Sequence, residues 1–337
     1  MVLDEVIRAW RGQHPEDELA VVVPHRDRDR ARAEHPGVEV HATRAPLHPV
    51  LASVVAPRIA GRIGADLVVT QNFAPLGRRT RSAVFVHDVL FQTNASWFTR
   101  TERAYLALVP LLLTRAHRVL TSSRSEAARI RSRNPRVREV VAAGLGIASA
   151  LRHDAPARPV DGLVSGRFLL TVGRLNVRKN LSTTVEAAVA SGRLSRDQPL
   201  VVVGEPSGRP EVLSGTARAA EASGTVRYLG GVPDDQLRWL YEHCRLMLFL
   251  SRDEGWGLPP VEAANLGAPV LVSDRPVFHE TLDQDATFVD PDDVAAVTAC
   301  LRRELDRADR HRPPSDTARQ RSSWTGIVAA ARETTEV

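Results

Sequence analysis

Short apolar runs dominated by valine and leucine, each followed by a helical period, recur along most of this chain. In the first half the strand candidates are 19–23, 38–41, 67–70, 83–86 and 118–121, with helical periodicity over 3–12, 47–63, 97–115 and 125–133. Strands that are apolar throughout and separated by helices belong to a parallel sheet covered on both faces. Residues 152–166 are rich in proline, glycine and polar residues and read as a linker. The alternation then restarts, with strands 168–172, 200–203, 226–229, 246–250 and 269–273 and helices 181–191, 210–222, 234–243 and 260–266. The pattern predicts two doubly wound α/β domains. The arginine–aspartate alternation at 26–32 reads as a solvated loop.

With 337 residues the chain is long enough for two domains at roughly 150 residues each. Its hydrophobic content of 43% and charged content of 25% exclude disordered and collagen-like classes. Two cysteines, Cys244 and Cys300, offer neither a disulfide framework nor a metal cluster. The opening residues, with Asp4 and Glu5, lack the basic run of a secretory signal. The longest apolar stretch, 104–113, contains Pro110 and is far shorter than the ~20 residues of a membrane span. These features point to a cytoplasmic protein, at most peripheral on the inner face of a membrane.

Charge is distributed unevenly. Residues 1–160 carry 24 arginines against 15 acids, whereas residues 161–337 carry 21 cations against 25 acids. A basic half beside an acidic half suggests domains with different partners, the basic one suited to an anionic membrane or a phosphorylated substrate. No zinc-finger spacing, RNP signature or basic–aromatic stripe supports nucleic acid. Of the 45 cationic residues only Lys179 is a lysine, which singles that position out.

Two segments carry the chemistry. In FLSRDEGWGLPPVEA, spanning 249–263, a strand ends in a glycine-containing loop and a helix begins near Pro260. Gly255 and Gly257 let backbone N–H groups approach an anion, and the helix N-terminus adds positive potential. Glu254 and Glu262 cannot ligate a diphosphate, so they suit hydroxyls of a sugar or ribose. In LTVGRLNVRKNL, spanning 170–181, Gly173 ends a strand and Arg174 and Lys179 follow. Arginine offers phosphate a planar fork and lysine a point charge.

These motifs, together with YLGGVPDDQLRWLYEHC, resemble the retaining nucleotide-sugar glycosyltransferases of family 4, which have the GT-B fold. The strand end Val84-Phe85-Val86-His87-Asp88 resembles that of its mannosyltransferase-like members, and Leu120-Thr121-Ser122-Ser123-Arg124-Ser125 its next strand-to-helix step. The resemblance implies two Rossmann-like domains facing across a cleft: 1–151 for acceptor and 167–318 for donor. Residues 152–166 form the linker, and a helix in 319–337 crosses back. It implies that Arg174 and Lys179 bind the donor diphosphate and that Glu262 binds the ribose. Glu254 meets the sugar, with backbone N–H groups of Gly255, Trp256, Gly257 and Leu258 beside it. Gly173 lies at the same turn, while Gly204 and the Gly231-Val232 turn line the base pocket. His87, with Asp88 and Ser123 on the acceptor side, reaches toward the transferring sugar.

The implied reaction moves a sugar, with a mannose-type donor, to a hydroxyl of a glycan or lipid-linked glycan, as in polysaccharide biosynthesis. It needs no cofactor and no metal, because the two cations neutralise the leaving diphosphate. One departure from the pattern is the first domain, which opens on a helix where a strand and glycine-rich loop are expected. That reads as a central strand slot left unfilled, with a start lying upstream of Met1 or a catalytically impaired partner or scaffold as its consequence. A nicotinamide-dependent oxidoreductase lacks support because no Gly-x-Gly-x-x-Gly follows a first strand.

Overall fold

The computed structural model describes residues 2–45, 47–77, 79–152, 154–212, 214–307, 315 and 323–336, the last without its side chain. The chain divides into two compact units. Unit 1 is Met1–Thr93, Arg100–Ala148 and Ser323–Val337; unit 2 is Asn94–Thr99 and Ser149–Ser322. The 318/319 boundary expected from the sequence lies outside the described residues.

Unit 1 runs α1 (Val2–Gln13), β1 (Ala20–Pro24), α2 (Arg28–Glu34), β2 (Glu39–Thr43) and then a helical segment. That segment is α3 (His48–Val50), a π turn (Leu51–Val55) and α4 (Ala56–Ile63). It continues with β3 (Leu67–Gln71), β4 (Arg81–Val86), α5 (Leu90–Thr93), α6 (Arg100–Leu106), α7 (Leu108–Leu113), β5 (Arg118–Thr121), α8 (Arg124–Arg133) and β6 (Val140–Ala142). All strand pairings are parallel, but they make two sheets: β1–β2, and β3–β4–β5–β6. The core lies around β4 and β5, where Val84, Val86, Val119 and Leu120 have no exposed surface.

Unit 2 runs β7 (Leu169–Val172), α9 (Leu181–Ala190), β8 (Leu200–Val203), α10 (Gly215–Ser223), β9 (Val226–Gly230), α11 (Asp234–His243) and β10 (Leu246–Phe249). It continues through α12 (Leu258–Asn265), β11 (Val270–Ser273), α13 (Pro276–Thr281), β12 (Thr287–Val289) and α14 (Val294–Asp306). Its sheet is single and parallel, in the order β12-β11-β10-β7-β8-β9. The order reverses at β7–β10, where the crevice beyond the strand ends takes ligands in doubly wound folds. Helix α15 (Thr325–Glu336) belongs to unit 1, where Trp324 donates to Ile147 O at 3.0 Å and Arg118 donates to Ala330 O at 2.9 Å.

The two-domain α/β expectation holds, with local corrections. Arg28–Glu34 is a helix, not a solvated loop; only Ala31 of it is buried, too little apolar signal to show periodicity. Helix α10 starts at Gly215 rather than 210, because Glu211 reaches away to accept from Leu181 N at 2.7 Å. The linker segment lies on unit 2, held by Arg158–Asp235 at 2.9 Å and by Arg227 donating to Gly162 O at 2.6 Å. Three-residue β6 and β12, with α13 and α14, carry no separate signal in the sequence reading.

Candidate functional site

The site in unit 2 begins where β7 and β10 end. Beyond β7, the tight turn Val177–Lys179 closes on Asn180, which takes a left-handed conformation (φ 53°). The loop after β10 clasps that turn: Arg252 N donates to Arg178 O at 2.9 Å, and Ser251 Oγ lies 3.3 Å from the same carbonyl. Arg178 and Lys179 are thereby brought to one carboxylate. Glu254 takes Lys179 Nζ on Oε1 at 2.6 Å and Arg178 Nη1 on Oε2 at 3.1 Å, and Ser251 Oγ donates to Oε1 at 2.6 Å. Lys179 also sits 4.5 Å from the centroid of the Phe249 ring, a cation–π contact.

Burial by itself would raise the Glu254 pKa, but Arg178 and Lys179, with hydrogen bonds from Lys179 and Ser251, outweigh it and hold the group at about 2. Glu262, on α12, has the opposite character. It is buried without a cationic partner among the described contacts and accepts from Tyr241 Oη at 3.0 Å. Burial pushes its pKa up to about 7, eased by the Tyr241 hydrogen bond and reinforced by Asp234. One carboxylate is fixed as an anion and the other titrates near neutrality.

Glycines shape the surroundings. A Cβ on Gly204 would lie 2.0 Å from Gly173 O, so these two strand-end backbones touch only because Gly204 bears no side chain. Gly173, Lys179, Val203 and Phe249 line one small cavity there. Gly257, at φ 84°, precedes α12, and a Cβ on it would meet Phe278 Cε1 at 2.5 Å. Gly255 and Trp256 are buried and Leu258 half-buried; the Trp256 indole Nε1 is buried with no hydrogen-bond partner among the described residues. Leaving such a donor unmet costs about 1–3 kcal/mol.

Not every expected residue joins this cluster. Arg174 is exposed, and the cation next to Lys179 on Glu254 is Arg178, which the sequence reading passed over. Its adjacency to the sole lysine was the available signal. Gly204 and Val232 flank a second patch, where Gly231 N donates to Glu205 Oε1 at 2.8 Å and Gly204 N to Gly230 O at 2.8 Å. Ser251, Tyr241 and Glu205 were also missed, since serine, tyrosine and glutamate at strand ends and on helices are common without function.

In unit 1, His87 and Asp88 follow β4. The His87 ring packs edge-on against Phe85 at 5.0 Å, and Asp88 Oδ1 accepts from Leu90 N at 3.2 Å. Ser123 is fully buried and caps α8, its Oγ accepting from Glu126 N at 3.0 Å. Glu126 Oε1 in turn accepts from Val89 N at 2.7 Å, tying the loop after β4 to α8. Elsewhere in unit 1, Asp4, Glu34 and His35 bring potential metal-ligand atoms within 4.8 Å of one another. His35 and Asp4 already hydrogen-bond at 3.1 Å.

Residues 161–321 match the family model for glycosyl transferases group 1. O-antigen chain mannosyltransferase B of Escherichia coli is 32% identical over 139 residues, covering 41% of this chain and 36% of that protein. GDP-mannose:cellobiosyl-diphosphopolyprenol alpha-mannosyltransferase of Komagataeibacter xylinus is 27% identical over 231 residues, covering 66% of this chain and 55% of that protein. The matches thus span about a third to a half of these relatives' lengths. Among solved structures, Anabaena HepE with UDP-glucose superposes with a TM-score of 0.63 at 15% identity, over 99% of this chain and 94% of that one. The chain has the GT-B fold, and its residues 161–321 are similar to the glycosyl transferases of group 1.

Proposed function

We propose that this protein is a retaining glycosyltransferase that moves a sugar from a nucleoside-diphosphate sugar to a hydroxyl of a glycan or lipid-linked glycan. The observation that carries the reading is Glu254, ionised and buried between Arg178, Lys179 and Ser251 at the sheet's reversal point. A fixed carboxylate there accepts hydrogen bonds from sugar hydroxyls, while the adjacent cations face the developing charge of a leaving diphosphate. Glu262 accepts from ribose hydroxyls, Gly204 and Val232 line the base, and Arg174 and Lys179 bind the phosphates. His87 and Asp88 serve the acceptor side, and Ser123, fully buried as the cap of α8, supports the neighbouring loop instead of meeting the acceptor. The names of the mannosyltransferase relatives favour a mannose-type donor.

The reaction in this reading requires no metal, since the cations supply the neutralising charge. The acceptor oxygen bonds to the anomeric carbon as the bond to the phosphate oxygen breaks. The acceptor's proton passes to that departing oxygen on the same face, which retains configuration. A second reading, an impaired partner or scaffold of the same ancestry, is favoured by the split sheet of unit 1. Turnover of nucleotide sugar by the purified protein separates the two.

The binding test is titration calorimetry with free nucleoside diphosphates, after a thermal-shift screen of sugar nucleotides. Arg174→Ala and Lys179→Ala should each lose about 1.5–3 kcal/mol of affinity, the worth of a charge-assisted bond. Unchanged affinity in both variants would sink the assignment.

A further inference from the structure

We propose that unit 2 carries a second binding site, for a small organic phosphate, in a cavity of about 210 Å³ lined by Arg167, Arg193 and Arg245. Arg167 and Phe168 lead into β7, Gln198 precedes β8 and Arg245 precedes β10, so the lining sits where these parallel strands begin. Gly173 and Glu254 sit where β7 and β10 end, at the opposite end of the sheet. The glycosyl transfer proposed above uses none of the residues of this cavity.

Backbone contacts fix its walls. Arg245 N donates to Phe168 O at 2.8 Å and Leu169 N to Pro199 O at 3.0 Å, which pins the starts of β10, β7 and β8 to one another. Ser195 N donates to Gln198 O at 3.2 Å and Gln198 N to Ser195 Oγ at 3.0 Å, closing the tight turn that carries Gln198. Phe168 and Leu305 are buried and give the cavity an apolar floor. Arg245 Nη2 donates to Leu305 O at 2.5 Å and Arg193 Nη2 pairs with Asp306, so two of the three guanidinium groups also hold the end of α14. Each commits one nitrogen to that contact. Arg167 has no side-chain partner among the described residues, and neither has the Gln198 amide. Support of α14 therefore accounts for Arg193 and Arg245 in part, and for Arg167 and Gln198 not at all.

Charge and size select the ligand. Three arginines line the cavity and, among the described residues, no acid does; Asp306, on Arg193, offsets one of the three charges. Like charges gathered around one cavity repel, and an anion carrying two charges relieves that. Guanidinium groups present planar forks of N–H donors that match phosphate oxygens. The free Gln198 amide can both donate to and accept from hydroxyls, and the Phe168–Leu305 floor takes a carbon skeleton. A bare ion would leave amide and floor unused. At about 210 Å³ the cavity is smaller than the roughly 300–1,000 Å³ of sites for drug-sized ligands. That is too small for a nucleotide and suits a molecule of monosaccharide-phosphate size.

The test is titration calorimetry of the full chain with glucose 6-phosphate, with glucose and inorganic phosphate as controls. Ionic strength is held constant, because salt screens exposed charges. Expected is saturable binding of glucose 6-phosphate with a dissociation constant below about 1 mM, at least about tenfold tighter than inorganic phosphate, and no binding of glucose. Arg167→Glu should weaken it at least about tenfold, and Arg167→Lys by a smaller factor, since the charge stays and the fork is lost. Arg174→Ala, at the other end of the sheet, should leave this binding unchanged. Arg167 makes no side-chain contact that folding needs, and circular dichroism checks each variant. Amide exchange locates the ligand: protection should rise at 167–169 and 198–200 and not at 173–181. Absence of saturable binding, affinity equal to that for inorganic phosphate, or binding that Arg174→Ala abolishes and Arg167→Glu spares would overturn the proposal.

Discussion

Val21-Val22-Val23 and Val201-Val202-Val203 are the same three residues in the same kind of strand, one in each unit, yet their surroundings differ. In β8 all three are buried, with β7 on one side and β9 on the other. In β1 all three are half-exposed, with β2 as the only strand on their ladder among the described residues. Strand β3, also at a sheet edge, alternates half-buried and buried, whereas β10 and β11 are buried throughout. A strand's burial therefore comes from its neighbours rather than from its own residues. Unit 2 forms one continuous layer with its carboxylate site at the reversal point, while unit 1 divides its strands between two sheets.

The largest effect expected from this contrast is in amide hydrogen exchange. Core strands open only with global unfolding, worth about 5–15 kcal/mol, whereas sparsely packed edges open locally at a fraction of that. Amides of 201–203 should therefore exchange at least about a thousandfold more slowly than those of 21–23. Equal protection in the two triplets would break the comparison and show that β1 has a neighbour on both sides in solution.

A glycine pair sharpens it further. Gly257 in unit 2 and Gly64 in unit 1 both hold a left-handed backbone, at φ 84° and φ 70°. A Cβ at Gly257 would strike Phe278 at 2.5 Å, but one at Gly64 would meet nothing within 4 Å. Gly64→Ala should cost about 1–2 kcal/mol from the backbone alone. Gly257→Ala should cost about 2–5 kcal/mol, because overpacking adds to the same backbone term. Denaturant unfolding followed by exchange checks both, and the Gly257 variant should leave protection at 118–121 in unit 1 unaltered. If the two substitutions cost the same, Phe278 moves aside and the rigidity assigned to unit 2 is overstated.

How much of this was legible in the sequence follows the same division. Five of the six sheet strands of unit 2 and the spacing of Glu254 and Glu262 could be read directly, because continuous apolar runs and a strand–loop–helix step leave local signals. Arg178 could not be separated from a solvent-facing arginine, since its role depends on Arg252 N folding back onto its carbonyl. Tyr241 reaches Glu262 only through the packing of α11 against α12, a contact between residues 21 apart. In unit 1 the helical run at 125–133 was visible, but the cap by Ser123 and the tie from Glu126 to Val89 depend on tertiary closure. The exposed Leu108 and Leu111 looked in sequence like part of an ordinary apolar helix, because exposure has no local signature.

The smallest of the expected effects concerns pH and belongs to unit 2. Glu262 has its folded pKa raised to about 7 from an ordinary value of 4.5, so the fold favours its neutral form. Its contribution to stability is complete below pH 4.5 and is lost as pH rises through 7. Glu254, held at about 2, contributes in the opposite sense: its share is present above pH 4.5 and is lost as pH falls toward 2. Between pH 6 and pH 8 Glu254 stays ionised while Glu262 changes charge. If ribose hydroxyls donate to the Glu262 carboxylate, nucleoside-diphosphate affinity should rise about tenfold across that interval, the change in ionised fraction for a pKa near 7. Glu262→Gln should flatten this rise, and Glu254→Gln should leave its slope alone. The phosphate's own ionisation is common to every variant and cancels in the comparison. Calorimetric titrations at both pH values decide it, and a slope that persists in Glu262→Gln would place the ribose elsewhere.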